Sequence, residues 1–530
     1  MTTPSRDVLV VFSVATLLAI PFLVCRFPIG QDLPAHVETA AQMVSIWRGD
    51  GGIGAHYQLR GWPWPNSLPT VLLALLSVVV DGLVGAKLLT ALALVMWPVS
   101  IAVLLERLGR SALFALVIMP TAHDLAFAYG FFHFVVAKPL WIMAIVIAID
   151  VGRRPSKGRG AALVATLVAL FSCHLLLFLS ALPLCVIASG LCAFVSPSTS
   201  SSSISSSSRW TSRSRGLGAG LGVVALSALP FLWWYQRSAQ RPDPKADVYV
   251  PLSEGLDAFW GNLGDLSGKG SDAWPWLMGG VVLVIGGAFS IARRRHVTRV
   301  VCAEGAALPL ILGLCVCGFA LFGPIKTASA SVVAERFSAL GIALVACALV
   351  PRVRVGGAAR AALLVSGITI ALSMVVPTAQ RWRAFNAEQM GDFDELVDEV
   401  PRGAVVATHF VWALSPHGRF NVLWHWPKLV ARRGAVTDDS FAFRDTCVVG
   451  IASGGTPPRR RPFPPGRHLR AEDLKGFDHL LVQGRDRRFG YAEKKGLLQM
   501  VKQTGVWTLY RIVVQASPTD VTMKEHDGRP

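Results

Sequence analysis

Long apolar runs separated by short polar stretches fill the first 377 residues, and each run is a candidate membrane helix. They cover residues 8–25, 85–105, 111–122, 131–149, 161–173, 175–195, 217–235, 275–292, 302–322, 333–350 and 359–377, which predicts about eleven spans. Several fall short of the roughly 20 residues that cross a bilayer at 1.5 Å each, so neighbouring runs such as those within 161–195 have soft limits. The stretch "SLPTVLLALLSVVVDG" is apolar but stops at Asp81, and is expected to lie along the outer interface rather than cross. The segment "SPSTSSSSISSSSRWTSRSRG" (196–216) is too polar and repetitive to bury a core and reads as a cytoplasmic linker. After Pro377 the pattern changes to short alternating helices and strands ("DFDELVDEV", "AVVAT", "NVLWHWPKLVARR", "FDHLLVQ", "KKGLLQMVKQTG", "VWTLYRIVV"). "TPPRRRPFPPGRH" among them carries too much proline for regular structure and reads as a basic loop. The expected architecture is mainly α, with a transmembrane domain over 1–377 and a small extracytoplasmic α/β domain over 378–530.

Composition agrees with this pattern. The mean hydropathy is +0.49, and 52% of residues are apolar against 16% charged. The formal charge of +18 does not imply nucleic acid, because basic residues collect on the cytoplasmic side of polytopic proteins. With the N-terminus inside, loops 106–110, 151–160, 196–216, 293–299 and 351–360 hold 16 Lys and Arg against one acid. The opposite loops, 26–66, 122–130, 236–274 and 323–334, hold 8 against 10 acids. An odd span count then places the C-terminal domain outside, periplasmic in a cell with an inner membrane. Eight of the nine cysteines sit in or beside apolar runs, which is neither a disulfide framework nor a zinc pattern.

Polar side chains that could carry chemistry gather at the outer ends of the helices. "GQDLPAHVETA" places Asp32, His36 and Glu38 just after the first run, and "TAHDLAFAYGFFHFVVAKPL" places His123, Asp124, His133 and Lys138 in and after the second outer loop. Lys138 would lie about 10 Å inside its span. "SVVAERFSALGIAL" starts a late helix with Glu335 and Arg336. Intramembrane and interfacial charges are costly unless paired or functional. Asp32 has two readings, a helix cap at Pro34 or a general base facing an acceptor hydroxyl. His56 and His174 also face outward and are second-tier candidates.

"QDLPAHVE", the interfacial "LPTVLLALLSVVVDG", the "AHD" loop and "ERFSALGIALVACAL" before an outer domain resemble the GT-C membrane glycosyltransferases, the bacterial mannosyl- and arabinosyltransferase-like enzymes that use polyprenyl-phosphate sugars. The resemblance implies Asp32 as catalytic base, Asp124 near it, and Arg336 on the lipid phosphate, with Lys138 helping and His36 orienting the base or meeting the acceptor. It implies a polyprenyl-phosphate sugar as donor and an extracytoplasmic lipid, glycan or protein as acceptor, with inverting transfer. The acid at 32 is followed by Leu33 rather than a second acid, so a divalent cation (Mg or Mn) on Asp32 and Asp124 is left open. Two other classes stand beside it. A lipid-linked sugar transporter or flippase would put its ionisable residues at the bilayer midplane. A non-catalytic scaffold would not bring Asp32, Asp124 and Arg336 together.

Overall fold

The computed structural model describes residues 5–195 except 62, then 206–238, a few positions between 253 and 281, 304–323, 334–352, and 355–513 apart from 413, 419–420, 445, 456–457 and 459–468. The helices that matter below are α1 (Arg6–Val24), α2 (Leu33–Trp47), α3 (Leu68–Ser77), α4 (Gly82–Arg107), α5 (Phe132–Arg153), α6 (Lys157–Cys173), α7 (Leu175–Val195), α8 (Ser206–Ser238), α9 (Glu304–Phe322), α10 (Ser338–Leu349), α11 (Gly357–Phe385), α12 (Phe393–Asp398) and α13 (Arg487–Lys494). Among the described residues six helices are long and apolar enough to cross a membrane, those built on α1, α4, α5, α7, α8 and α11. The chain is therefore a multi-pass membrane protein.

The expected count of eleven is not confirmed by these six: α6 has 17 residues, α9 is counted only over Ala307–Phe322, and two further runs are shorter. Residues 112–122 form one short helical segment broken into 3-10 and α turns, and α10 has 12 residues. Twelve residues rise about 18 Å, short of the roughly 30 Å of a hydrocarbon core. The run at 275–292 and the basic loop at 456–468 lie almost entirely outside the described residues. The serine-rich stretch read as a linker is helical from Ser206 onward, continuous with the apolar part of α8. A helix already nucleated by an apolar segment can extend through serine and arginine at little cost per residue.

The ends of the bundle differ in charge. At one end Arg107 pairs with Asp150 at 3.5 Å, Arg153 donates to the Arg107 carbonyl, and Arg110 donates to the Ala348 and Val350 carbonyls that close α10. A guanidinium there satisfies acceptors that a helix C-terminus leaves open. At the other end lie Asp32, Asp124 and the chain after α11. That helix runs through Pro377 without a break, so the change in hydropathy falls inside an element.

The C-terminal part holds a five-stranded sheet of β2 (Val405–Phe410), β3 (Val436–Thr437), β5 (His479–Gln483), β6 (Leu498–Thr504) and β7 (Trp507–Ile512), in the order β3-β2-β5-β7-β6. β2 runs parallel to β3 and β5, and the β5-β7-β6 side is antiparallel. A second, two-stranded sheet joins β1 (Tyr57–Leu59) from the first polar loop to β4 (Val449–Ile451), with Tyr57 opposite Ile451. Ion pairs follow the same seam: Arg26 with Asp394 at 2.8 Å, Arg402 with Asp50 at 2.8 Å, and Arg432 with Asp81 at 3.2 Å. One apolar core runs from Val11 through Trp97 and Trp141 to Trp426 and Trp507. A smaller core, including Leu480, Phe489 and Tyr510, fills the other face of the sheet. The first polar loop and the C-terminal sheet are thus packed as one body, and the site lies in their seam.

Candidate active site between the first polar loop and the C-terminal sheet

Two loops meet backbone to backbone to form the floor of the site. Gly30 and Gly130 approach so closely that a Cβ on Gly130 would lie 3.1 Å from the Gly30 Cα and 3.2 Å from the Leu33 nitrogen, and Gly130 has φ +76°. Only glycine meets both demands without strain. The contact lets the Asp32 amide donate to the Tyr129 carbonyl at 3.0 Å, which ties "GQDLP" to "AYGFF". A cavity of about 200 Å³ opens beside them, lined by Asp32, His36, His133, His174, Arg336 and Arg444 among others.

Asp32 occupies the N-cap position of α2, where Pro34 fits the first turn, yet its side chain makes no capping hydrogen bond. Its φ and ψ, −89° and −14°, are not the extended values of a capping residue. The carboxylate is buried and lies 3.5 Å from Nε2 of His425. Burial raises its proton affinity above the usual carboxylate range, against the pull of Arg444, Arg336 and Lys428. One turn along α2, the His36 ring lies 4.3 Å from that of His133 at a tilt of 59°, and burial holds its proton affinity well below the ordinary imidazole value. His133 shares a 2.8 Å hydrogen bond with Thr70, and His174 sets its ring edge-on to Phe134.

Arg336 and Arg444 each lie over a phenylalanine ring. Arg336 stands 3.6 Å from the centre of Phe131 and Arg444 3.8 Å from Phe441. Such a contact holds a guanidinium in place at the cavity wall. Glu335 does not line the cavity, and its buried Oε2 has no hydrogen-bond partner among the described residues.

Asp124 is built differently. It caps the short helix Leu125–Tyr129 by accepting from the Phe127 amide at 3.0 Å, and it pairs with Lys138 at 2.9 Å. Both side chains are 2% exposed. Lys138 also donates to the Thr121 carbonyl and lies over Trp97. Neither residue of the pair lines the cavity. His123 stacks on Phe127, and burial lowers its pKa to about 3. Glu38 also faces away from the cavity. Its Oε1 accepts from Thr437 at 2.9 Å and its Oε2 lies 3.8 Å from Lys428, while burial, opposed first by Lys428, raises its pKa to about 7. His56 stands apart beside Tyr57.

Of the residues singled out from the sequence, Asp32, His36, His133, His174 and Arg336 therefore share one cavity, whereas Asp124, Lys138, His123 and Glu38 support its walls. Asp124 is taken up by Lys138 and a backbone amide, and Asp32 lies beside His425 at the cavity wall. Among the described residues no group of three or more His, Cys, Asp or Glu is placed to hold a metal ion. Sequence reasoning missed Arg444, His425, Lys428 and Asp439, all from the C-terminal part. The signal available was "HWPK", in which His425 and Lys428 fall one turn apart at the start of a 3-10 helix, Trp426–Arg433, whose remaining residues are largely apolar or basic.

No family model and no curated protein sequence matches the chain. Solved structures do match its fold. ArnT from Cupriavidus metallidurans bound to undecaprenyl phosphate aligns over 96% of this chain and 99% of its own, with a TM-score of 0.56 and 12% identity. The same protein in the apo state aligns over 95% and 97%, with a TM-score of 0.55 and 13% identity. At that identity the likeness concerns the fold, and that fold is the GT-C architecture to which the sequence motifs point.

Proposed function

We propose that this protein is an integral membrane glycosyltransferase that moves a sugar from a polyprenyl-phosphate donor to an extracytoplasmic hydroxyl, with Asp32 as general base. The observation that carries this reading is Asp32 itself, a buried carboxylate at a helix start that is spared from capping and faces a cavity with two arginines. As the acceptor oxygen bonds to the anomeric carbon, from the face opposite the lipid phosphate, Asp32 takes its proton, and the electron pair of the broken bond leaves on the phosphate. Arg336 and Arg444 offer planar N–H edges to that phosphate, which suits charge-assisted, bidentate contact. Lys138 is committed to Asp124, so we assign the phosphate to the arginines. The Asp124–Lys138 pair braces the loop whose Tyr129 carbonyl holds Asp32 and whose Phe131 carries Arg336. The step as drawn places no divalent cation. A fold neighbour crystallised with undecaprenyl phosphate supports the donor class.

A transporter would place its ionisable residues at mid-membrane, and here the charged cavity sits at one end of the bundle, beside the C-terminal sheet. A scaffold would leave Asp32, Asp124 and Arg336 apart; two of the three, Asp32 and Arg336, line one cavity, while Asp124 lies outside it on Lys138. The test is to incubate the purified protein with polyprenyl-phosphate sugars and follow release of polyprenyl phosphate, with Asp32→Asn in parallel. Release by the wild type and not by the variant supports the assignment; equal release by both removes Asp32 from it. We also place the N-terminus in the cytoplasm and residues 378–530 outside, as an α/β domain that closes the site. A reporter fused at residue 400 that works only in the cytoplasm would sink that orientation.

A further inference from the structure

The 3-10 helix Trp426–Arg433 enters the site from the C-terminal side and brings His425 to the base. His425 is buried, and its imidazole stands between two carboxylates: Nε2 is 3.5 Å from Asp32 Oδ1 and Nδ1 is 3.6 Å from Asp439 Oδ2. Phe441 packs edge-on against the ring at 5.3 Å and fixes its plane. The other charged groups around it are Lys428 on the same helix, 3.5 Å from Asp439, Glu38 of α2 behind Lys428, and Arg444 and Arg336 on the cavity wall beside Asp32. Asp439 is the outer member, with its side chain 36% exposed.

A carboxylate at Nδ1 favours the tautomer with its proton on Nδ1, which leaves Nε2 as an acceptor. An acceptor there has nothing to gain from an ionised Asp32, but it stabilises Asp32 once that residue has gained a proton. The arrangement therefore acts only when the base has done its work, which is when stabilisation speeds a reaction. Both separations exceed a hydrogen bond by about 0.5 Å. Contacts of this kind commonly tighten when substrate fills the site.

We propose that His425 is a positioning residue for the base: oriented by Asp439, it receives the proton that Asp32 takes from the acceptor hydroxyl. This rests on Asp32 being the base. The balance is unchanged from the transfer step: the C–O bond to the acceptor forms, the bond from the anomeric carbon to the phosphate oxygen breaks with its electron pair on phosphate, and the hydroxyl proton ends on the Asp32–His425 pair before passing to water past Asp439. The C-terminal part is then a component of the catalytic unit as well as a cover over it.

The test uses the full-length protein with saturating polyprenyl-phosphate sugar and acceptor, and measures kcat against pH for wild type, His425→Phe, His425→Gln, Asp439→Asn and Asp32→Asn. Phenylalanine keeps a flat ring against Phe441 and removes the acceptor; glutamine can restore one through its amide oxygen. The expected result is a fall in kcat of about tenfold for His425→Phe, below the roughly 10²- to 10⁴-fold of the base itself, with donor KM unchanged and partial recovery in His425→Gln. Removing a proton-accepting partner lowers the proton affinity of the pair, so the acid limb of the profile should move to lower pH, and less far in Asp439→Asn. An unmoved acid limb with wild-type kcat in His425→Phe overturns the proposal, as does a loss confined to donor KM. If His425→Phe fails to fold, Asp439→Asn decides, and an unmoved acid limb there overturns it. Full turnover in Asp32→Asn would sink the base assignment and this inference together, whereas an inactive Asp32→Asn beside a normal His425→Phe sinks this inference alone.

Discussion

Asp32 and Asp124 look alike in the chain and differ in the fold. Each follows a polar or aromatic turn, precedes leucine, begins a helix, and is almost fully buried. Asp124 spends one oxygen on the Phe127 amide and the other on Lys138, so its charge is neutralised and its geometry fixed. Asp32 spends neither on its own helix and meets its cations across the cavity. The first arrangement is what a stable helix start requires. The second costs burial energy without repaying it locally, and it is this difference that the proposed role of Asp32 as base rests on.

The largest effect that separates the two is expected in turnover. Asp32→Asn should reach the membrane in normal amount and bind donor, because no cap or ion pair at helix geometry is lost, yet transfer sugar at least about 10²-fold more slowly. Near-normal turnover at saturating substrates would erase the difference between the two carboxylates.

Asp124→Asn should do the reverse. Asparagine still caps, but Lys138 is left as an unpaired buried charge, which costs about 3–5 kcal/mol and should appear as a lower melting temperature in detergent and lower yield. Adding Lys138→Met should recover much of the loss, since replacing both members of a buried pair by apolar groups is commonly close to neutral. A failure of the double variant to recover would mean that the pair does more than brace the loop.

The arginines should give an intermediate effect. Losing a charge-assisted contact costs about 1.5–3 kcal/mol, so Arg336→Ala should raise the donor KM about 10- to 100-fold, with Arg336→Lys milder and Arg444→Ala similar in direction. Donor use that is indifferent to Arg336→Ala would reduce the residue to a brace on Phe131.

The smallest effect concerns Glu38, buried like the other two but facing Lys428. Its pKa in the folded protein is raised to about 7, above the value of about 4.3 for an exposed glutamate. Between these values the folded state binds more protons than the unfolded state, so this group's contribution to stability falls as pH rises through the window. Glu38→Gln should flatten that part of the melting-temperature profile between pH 5 and pH 7. An unchanged slope would assign it to another group.

The helices, the polar stretches at their ends and the strands after residue 404 were legible in the sequence because hydropathy and turn residues act over a few neighbours. The interfacial helix expected in "SLPTVLLALLSVVVDG" is α3, but it ends at Ser77 rather than at Asp81, which instead caps α4 through the Leu83 and Val84 amides. The extent of single elements was less so: α11 runs through the change in composition at Pro377, and α8 reaches back into the serine-rich stretch.

What the sequence by itself determined is the class of molecule, a multi-pass helical protein with reactive side chains gathered at one end of its helices, because the cost of exposing apolar groups and burying unpaired charges is read locally along the chain. What only the tertiary structure decided is which of those side chains are spent on each other. Glu38 meets Thr437 across 399 positions, His425 arrives beside Asp32 from the far end of the chain, and Lys138 is paired with Asp124. Ionic partnership depends on distance and desolvation in the folded molecule, and neither is written in the order of the residues.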